Sequence, residues 1–214
     1  MNLTGKTLQL IAETPTLERC NEIANYLNLI CPNYGLNNAN VMHEFLATII
    51  HESGAFRIKS ENMNYTTAER IKEVWPSRFN LTGKDGKLNA NNYIRNPKLL
   101  ANTVYNGRMG NRTGTDDGFN FRGSGFIQLT GRESFTAYAK YHGGTDLEYY
   151  ANLLRTDDWW AVDCACWEFC VDKKLLPLAQ TDQFQTITKR INGGLIGWKE
   201  RQYFYARAKQ YLKD

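Results

Sequence analysis

Apolar residues recur every three or four positions along most of the chain, and this spacing is typical of one buried helix face. After Asn38, for example, Val41, Phe45 and Ile49 repeat at four-residue intervals, which predicts a helix that ends at His51. Capping residues and prolines set the limits of further helices. They predict helix starts at Thr14-Pro15, Thr66-Thr67, Asn96-Pro97, Asp157, Thr181 and Trp198, with ends marked by Pro76, Gly107, Asn192-Gly193-Gly194 and Leu212.

Little of the chain has the two-residue alternation of a β-strand. Only residues 126–129 resemble a strand, and residues 80–92 and 106–125 are rich in Asn, Gly and Asp, which predicts loops. No proline- or serine-rich linker, low-complexity tract or repeat interrupts the chain. We therefore expect a mainly α fold over residues 1–214, built as a single domain with two helical lobes and little β structure.

Length and composition are those of an ordinary globular protein. The chain has 214 residues, of which 42% are hydrophobic and 22% are charged, enough for a sizeable core. No apolar run approaches the roughly 20 residues that span a bilayer, so we expect no stable membrane insertion. The first residues lack a basic start followed by a long apolar stretch, so we expect no signal peptide and a cytoplasmic product.

A small excess of positive charge is spread along the chain. The formal net charge is +4 and the isoelectric point is about 8.7, which favours an anionic polymer or surface as partner. No basic run with interleaved aromatic residues occurs, so a nucleic acid is not the expected partner. The five cysteines do not have the spacing of paired zinc ligands, and we expect free, buried thiols.

Three familiar motifs are incomplete in this chain. His51-Glu52 begins like the zinc-peptidase pattern His-Glu-x-x-His, but position 55 is Ala55 and no third histidine is nearby. The glycine-rich FRGSGFIQLTGR lacks the Gly-Lys-Ser/Thr ending of a phosphate-binding loop. No Gly-x-Ser-x-Gly elbow is present. A metallopeptidase is therefore the weakest of the hypotheses for this chain.

Two carboxylates, Glu52 and Glu61, are the stronger catalytic candidates. Glu52 ends an apolar helix, where a low dielectric and the negative end of the helix dipole favour the protonated form that a general acid needs. Glu61 lies in an Asn-rich loop, where it is expected to stay ionised and act as a base. Two carboxyls in contrasting surroundings are typical of a glycosidase. The alternative is a surface helix end and a solvated loop residue.

Aromatic residues are concentrated in the same middle part of the chain. Sugar rings stack on aromatic planes, and their hydroxyls suit Asn and Gln amides. Core packing is the better interpretation of any one of these aromatic residues, but their concentration near the two carboxylates supports a carbohydrate site. They are Tyr65, Trp75, Tyr93, Tyr105, Phe119 and Phe121.

Five separated motifs together resemble the glycoside hydrolase family 19 chitinases, and most closely their phage and prophage endolysin branch. They occur in the family's order over about residues 40–205, which is most of the chain. The resemblance implies a lysozyme-like, two-lobed helical domain with a substrate cleft, and we expect no separate wall-binding module beside this domain in 214 residues. The motifs are HESGAF, ENMNYT, NPKLLANTVYNGRMGN, FRGSGFIQLTGRESF and ITKRINGGLIGWKER.

The same resemblance implies roles for individual residues. Glu52 matches the general acid, and Glu61 matches the second acidic residue, which activates the attacking water. Hydrolysis would be a single displacement with inversion, for which carboxyls stand about 6.5–9.5 Å apart, and no metal or cofactor is needed. Substrate contacts are implied for His51, Tyr65, Gln128, Thr130, Asn192 and Arg201.

The resemblance also implies a biological setting, with alternatives. We expect a monomeric endolysin that cuts β-1,4 bonds of peptidoglycan glycan strands and waits in the host cytoplasm until a holin opens the membrane. A chitinase acting on poly-N-acetylglucosamine is the nearest alternative. A catalytically inactive wall-binding domain is another. The family often has Arg in place of Ser124 and Asn in place of Ser134, and the second departure removes an amide that could hold a sugar.

Overall fold

Helices make up most of the molecule. The computed structural model describes residues 2–214. Within them the α-helices are α1 Gly5–Ala12, α2 Leu17–Ile30, α3 Ala39–Glu52, α4 Ala68–Val74, α5 Pro97–Tyr105, α6 Asp117–Asn120, α7 Arg132–Tyr141, α8 Leu147–Thr156, α9 Asp158–Trp167, α10 Leu176–Ala179, α11 Phe184–Asn192 and α12 Trp198–Tyr211.

The remaining regular structure is short. Strands β1, Phe79–Asn80, and β2, Leu88–Asn89, form one parallel pair in which Phe79 lies opposite Leu88. Turns of 3₁₀-helix span Cys31–Tyr34 and Ala90–Tyr93, and a π-helical turn, Glu168–Asp172, continues α9. These elements confirm the predicted fold class, a mainly α, lysozyme-like fold with little β structure.

The chain forms two compact units, which agrees with the expectation of two lobes. The first unit contains the described residues up to Ser60, together with Ser124–Leu129 and Tyr149–Asp214. The second contains Glu61–Gly123 and Thr130–Glu148. Whether both belong to one catalytic domain stays a prediction.

Helix α3 is the centre of the first unit. Every residue from Val41 to Ile50 is buried, so this helix is enclosed on all sides, as its almost continuous apolar sequence requires. Its most extensive helix contact is with α12, and Phe45 packs edge-on against Phe169 with ring centroids 5.4 Å apart. The position of the last turn of α3 is therefore determined by the core of this unit.

The second unit has its own core, and most of the aromatic candidates belong to it. Phe79 and Tyr93 pack edge to face at 4.9 Å within a buried cluster that also includes Leu100. Tyr65, Trp75, Tyr105 and Phe119 pack against this cluster while keeping part of their surface exposed, and Phe121 is buried elsewhere. Core packing therefore explains the buried members of the group.

Several predicted helix starts are confirmed by their caps. The side chain of Asn38 accepts a hydrogen bond from the Val41 amide at the start of α3, and that of Asn96 accepts one from Leu99 at the start of α5. Asp157 caps α9 in the same way. Each cap satisfies an amide that has no partner within the helix, so the capping residue fixes where the helix begins.

Other predicted boundaries were wrong by one to three residues. The cap of α2 is Thr16 rather than Thr14, and that of α4 is Thr67 rather than Thr66, because in each pair it is the later hydroxyl that meets an amide three residues on. Helix α11 begins at Phe184 instead of Thr181, whose hydroxyl instead donates to carbonyls at the end of α10. Helix α5 ends at Tyr105, two residues before Gly107.

The predicted strand at residues 126–129 was wrong. Gln128 has a left-handed backbone with φ of 60°, which turns the chain instead of extending it. The amides and carbonyls of Ser124 and Leu129 bond to each other across this turn at 2.8 and 3.1 Å. The apolar run of residues 126–129 therefore predicted a strand where the structure has a turn.

All five cysteines are free, as expected, and four of them are buried. The Sγ atoms of Cys31 and Cys166 lie 3.6 Å apart. No helix among residues 2–214 combines the length and apolar character that crossing a membrane requires.

The core of the first unit contains a carboxyl group without a hydrogen bond. Glu44 on α3 is fully buried, and neither of its carboxyl oxygens has a hydrogen-bond partner. Burial raises the pKa of Glu44 to about 8; the negative charge of Asp182 adds to the effect, while the positive charge of Lys209 opposes it. Glu44 is therefore protonated at neutral pH in the folded protein.

Glu44→Gln should remove a pH-dependent loss of stability. In the unfolded chain Glu44 ionises near pH 4.5, so the wild-type fold loses stability as the pH rises from about 4.5 towards 8. The variant should avoid up to about 3 kcal/mol of this loss at pH 7. Denaturant unfolding at pH 5 and pH 8 measures the effect, with exposed Glu18→Gln as control; equal pH dependence in both variants contradicts the assignment.

Candidate functional site

Glu52 is the last residue of α3, and it pairs with a buried arginine from α12. The guanidinium Nη2 of Arg201 donates to Oε1 of Glu52, whose side chain is 18% exposed, whereas that of Arg201 is only 1% exposed. The other guanidinium nitrogens of Arg201, Nε and Nη1, are buried without a hydrogen-bond partner. A buried cation needs an anionic partner, so the pair fixes the Glu52 carboxylate.

The chain turns sharply after Glu52. The Ser53 hydroxyl donates to the Ile49 carbonyl at 2.6 Å and accepts from the Phe56 amide at 2.7 Å. Gly54, Ala55 and Phe56 then follow with φ of 55°, 59° and 63°, a left-handed run that only glycine adopts readily. This turn ends the apolar helix abruptly and keeps the Glu52 side chain at the margin of the core.

His51 is held beside Glu52 by a second residue of α12. Its Nδ1 lies 2.8 Å from Oε2 of Glu200, which is adjacent to Arg201 in the chain, although the contact lacks the geometry of a hydrogen bond. The ring is mostly buried, with 18% of the side chain exposed. The structure therefore brings together three of the predicted site residues, His51, Glu52 and Arg201.

Glu61 belongs to the second unit and has neutral hydrogen-bond donors. The Tyr105 hydroxyl donates to Oε1 at 2.7 Å, and the Gly123 amide donates to Oε2 at 3.1 Å. The Glu61 amide donates in turn to the Gly123 carbonyl at 2.8 Å. Glu61 is thus half-buried and fixed in orientation, rather than free in a solvated loop as its polar sequence neighbours suggested.

The pKa values of three side chains around Glu61 are shifted from their usual values. Burial, and then the negative charge of Glu61, raise the pKa of the Tyr105 phenol, so it remains a hydrogen-bond donor. Burial and Glu61 raise the pKa of Tyr65 in the same order. Burial lowers the pKa of Arg122, against the opposing attraction of Glu61. The structure therefore places the predicted residue Tyr65 in the electrostatic environment of Glu61.

Two of the other predicted site residues form local hydrogen bonds. The Gln128 amide donates to the Gly125 carbonyl at 2.8 Å inside the 124–129 turn of the first unit. The Asn192 amide, at the end of α11, donates weakly to the Ile196 carbonyl at 3.4 Å. Thr130 is half-buried in the second unit. Substrate contacts of these residues stay predictions.

A mostly buried carboxyl, that of Glu168, lies in the electrostatic reach of Glu52. Burial raises the pKa of Glu168 to about 7, and the negative charge of Glu52 contributes to this shift. Lys173 opposes it, with its Nζ 3.9 Å from a carboxyl oxygen of Glu168. The neighbourhood of Glu52 therefore contains a group that titrates near neutrality.

Sequence reasoning did not identify several partners of the two carboxylates. Tyr105 was considered only as an aromatic surface, and the donor role of Gly123 depends on its backbone amide, which no side-chain pattern reveals. Arg122 precedes Gly123 in the FRGSG motif, and this position in the sequence was the signal that could have identified it as a neighbour of Glu61. Glu200 could have been found from its position beside Arg201.

Comparison with known proteins identifies the family of this chain. The chain is 34% identical over 165 residues to a glycosyl hydrolase family 19 domain-containing protein of Haemophilus influenzae, and the match covers 75% of this chain and 74% of the relative. No family model matches the chain. The relative supports a glycoside hydrolase function of chitinase- or lysozyme-like kind, and the mainly helical fold is consistent with it.

Within that class the assignment is specific. This chain belongs to glycosyl hydrolase family 19. The resemblance seen in the separated motifs is therefore confirmed at the level of the family.

Tyr105→Phe should reduce glycoside hydrolysis without unfolding the protein. The aromatic ring at position 105 still packs against the core of the second unit, but Glu61 loses one of its two hydrogen-bond donors. A hydrogen bond to a charged group contributes about 1.5–3 kcal/mol, so we expect a rate roughly 10- to 100-fold lower. Initial rates on a soluble glycan and the melting temperature are the measurements. Tyr93→Phe in the same core is the control, and equal rates for both variants contradict the role of the Tyr105 hydroxyl.

Proposed function

We propose that the protein is an endolysin that hydrolyses the β-1,4 glycosidic bonds of bacterial peptidoglycan and thereby lyses the host cell. One observation carries the proposal: two carboxylates of a family 19 glycoside hydrolase are held by donors of opposite kinds. Glu52 is paired with the cation of Arg201, and Glu61 accepts hydrogen bonds from the neutral Tyr105 hydroxyl and Gly123 amide. Two carboxyls with different surroundings suit an acid and a base.

Glu52 is the general acid in this proposal. It donates its proton to the glycosidic oxygen as the bond to the anomeric carbon breaks, and it becomes a carboxylate in the same step. Glu52 must carry its proton when the glycosidic bond breaks, and the guanidinium of Arg201, already in hydrogen-bond contact, then stabilises the charge that forms. Removing the proton donor therefore removes the step on which bond cleavage depends.

Glu61 is the general base in this proposal. A carboxylate has about four lone-pair positions, so the donors Tyr105 and Gly123 leave acceptor capacity for a water molecule. Glu61 takes a proton from that water as the water attacks the anomeric carbon, which gives inversion in one displacement. The chemistry uses the chain's own carboxylates, and we propose no metal or organic cofactor.

Peptidoglycan is the proposed substrate because of the charge of the protein. A formal net charge of +4 favours approach to an anionic cell wall, whereas chitin is uncharged. We propose that the enzyme acts as a monomer, without nucleic acid or a stable membrane-inserted segment. It remains in the host cytoplasm until a holin opens the membrane. A chitinase is the alternative function within the same family.

Product analysis distinguishes these two substrates. Purified peptidoglycan and chitin oligomers are incubated separately with the protein, and the products are analysed by mass spectrometry after reduction of new chain ends. We expect disaccharide-peptide fragments with a new reducing sugar from peptidoglycan, formed faster than products from chitin oligomers. Faster cleavage of chitin oligomers identifies a chitinase, and binding to cell walls without new reducing ends identifies an inactive binding domain.

Glu52→Gln should abolish lysis in a protein that still folds, with a lower melting temperature because Arg201 loses its anionic partner. The amide has nearly the shape of the acid and still meets Arg201, but it has no proton to donate. We expect the hydrolytic rate to fall by at least about 1,000-fold. Turbidity clearing of exposed cell walls and the melting temperature are measured together. Near-normal clearing by a folded variant refutes the role of Glu52 as the acid.

A further inference from the structure

Two neighbouring residues of α12 contact two neighbouring residues of α3. Glu200 contacts His51, and the next residue, Arg201, pairs with the next residue, Glu52. Both contacts come from the first turn of α12, and both are made to the last turn of α3. The end of α3 is therefore contacted by α12 at two adjacent residues, His51 and Glu52. Of these two, only Glu52 has a carboxylate with a proposed chemical role.

Gly197 closes the space around the imidazole of His51. It is the residue before α12 and has a left-handed backbone with φ of 71°. A Cβ atom built on Gly197 would lie 2.4 Å from Cε1 and 2.5 Å from Nε2 of His51, far inside normal contact distance. The ring thus rests directly on the Gly197 backbone, with the Glu200 carboxylate at its Nδ1.

These contacts restrict how the last turn of α3 can rotate. The His51 ring can leave its place only if the contact between Nδ1 and Glu200 breaks, and a shift of the His51 backbone would carry Glu52, the next residue of the helix, with it. The guanidinium of Arg201 is buried and cannot follow freely. The arrangement therefore adds a restraint on the last turn of α3, and with it on Glu52, through His51 as well as through Arg201.

We propose that Glu200 is a positioning residue for Glu52, and that it acts through His51 and the Gly197 backbone. The proposal rests on the proposed role of Glu52 as the proton donor. Glu200 itself touches neither substrate nor reacting atoms.

The exposure of Glu200 separates this role from a merely structural one. Its side chain is 61% exposed, and ion pairs at exposed positions contribute little to stability. Loss of the carboxylate should therefore leave the melting temperature nearly unchanged. Misplacing a catalytic group by about 1 Å can cost about 100-fold in rate, so the effect should appear in kcat.

The experiment compares Glu200→Gln and Glu200→Asp with the matched control Lys199→Gln, an exposed neighbour on the same helical turn. We expect Glu200→Gln to lower kcat on peptidoglycan about 10- to 100-fold with KM within about twofold. Glu200→Asp should restore part of kcat, because it keeps the charge. Lys199→Gln should match the wild type, and all variants should melt near the wild-type temperature.

Imidazole signals in NMR spectra provide a second readout that needs no activity. The chain has three histidines, so the His51 ring can be assigned by substitution. We expect Glu200→Gln to shift the ring signals of His51 while those of His43 and His142 stay in place. Unchanged His51 signals show that the contact is absent in solution and overturn the proposal, even if a variant proves too unstable for kinetics.

The remaining outcomes are also decisive. If Glu200→Gln keeps the wild-type kcat while Glu52→Gln is inactive, the positioning role of Glu200 is overturned and the role of Glu52 stands. A parallel fall of kcat and melting temperature that Glu200→Asp does not reverse indicates a structural role, which also overturns it. Full activity of Glu52→Gln overturns the role of Glu52, and this proposal fails with it.

Discussion

The ion pair between Arg201 and Glu52 is the interaction on which the first unit's site depends. Arg201 is 1% exposed, and a guanidinium buried to this extent is tolerated only with an anionic partner. Helices α3 and α12 pack against each other more extensively than any other helix pair, and the pair lies at the end of this contact. The packing of the core and the placement of the Glu52 carboxylate therefore depend on each other, because α12 supplies the cation of Arg201 and α3 ends at Glu52.

Local sequence was sufficient to predict the elements that local interactions determine. Asn38 and Asn96 cap their helices through amides three residues away, so the signal and the structure lie in the same short segment. Residues 126–129 show the limit of this reasoning. Their apolar run suggested a strand, but Gln128 turns the chain and a pairing between Ser124 and Leu129 replaces the extended backbone. Apolar content alone does not distinguish a buried turn from a buried strand.

The candidate site was predictable only in part, because its partners are distant in sequence. The motifs identified Glu52, Glu61 and Arg201, but Arg201 stands 149 residues after Glu52, and it was found through the family resemblance rather than through spacing. Tyr105 stands 44 residues after Glu61, and its hydroxyl role depends on how α5 packs in the second core. Tertiary packing brings these groups together, and no periodic pattern encodes such a pairing.

The different partners of the two carboxylates have a chemical consequence. A cation beside Glu52 is most useful after a proton has left, because it then faces a full negative charge. Neutral donors beside Glu61 fix the direction of its lone pairs without cancelling its charge by an ion pair, which suits a group that must accept a proton from water. The proposed roles of acid and base therefore rest on the family motifs, and the contacts add that Glu52 faces a cation while Glu61 faces neutral donors.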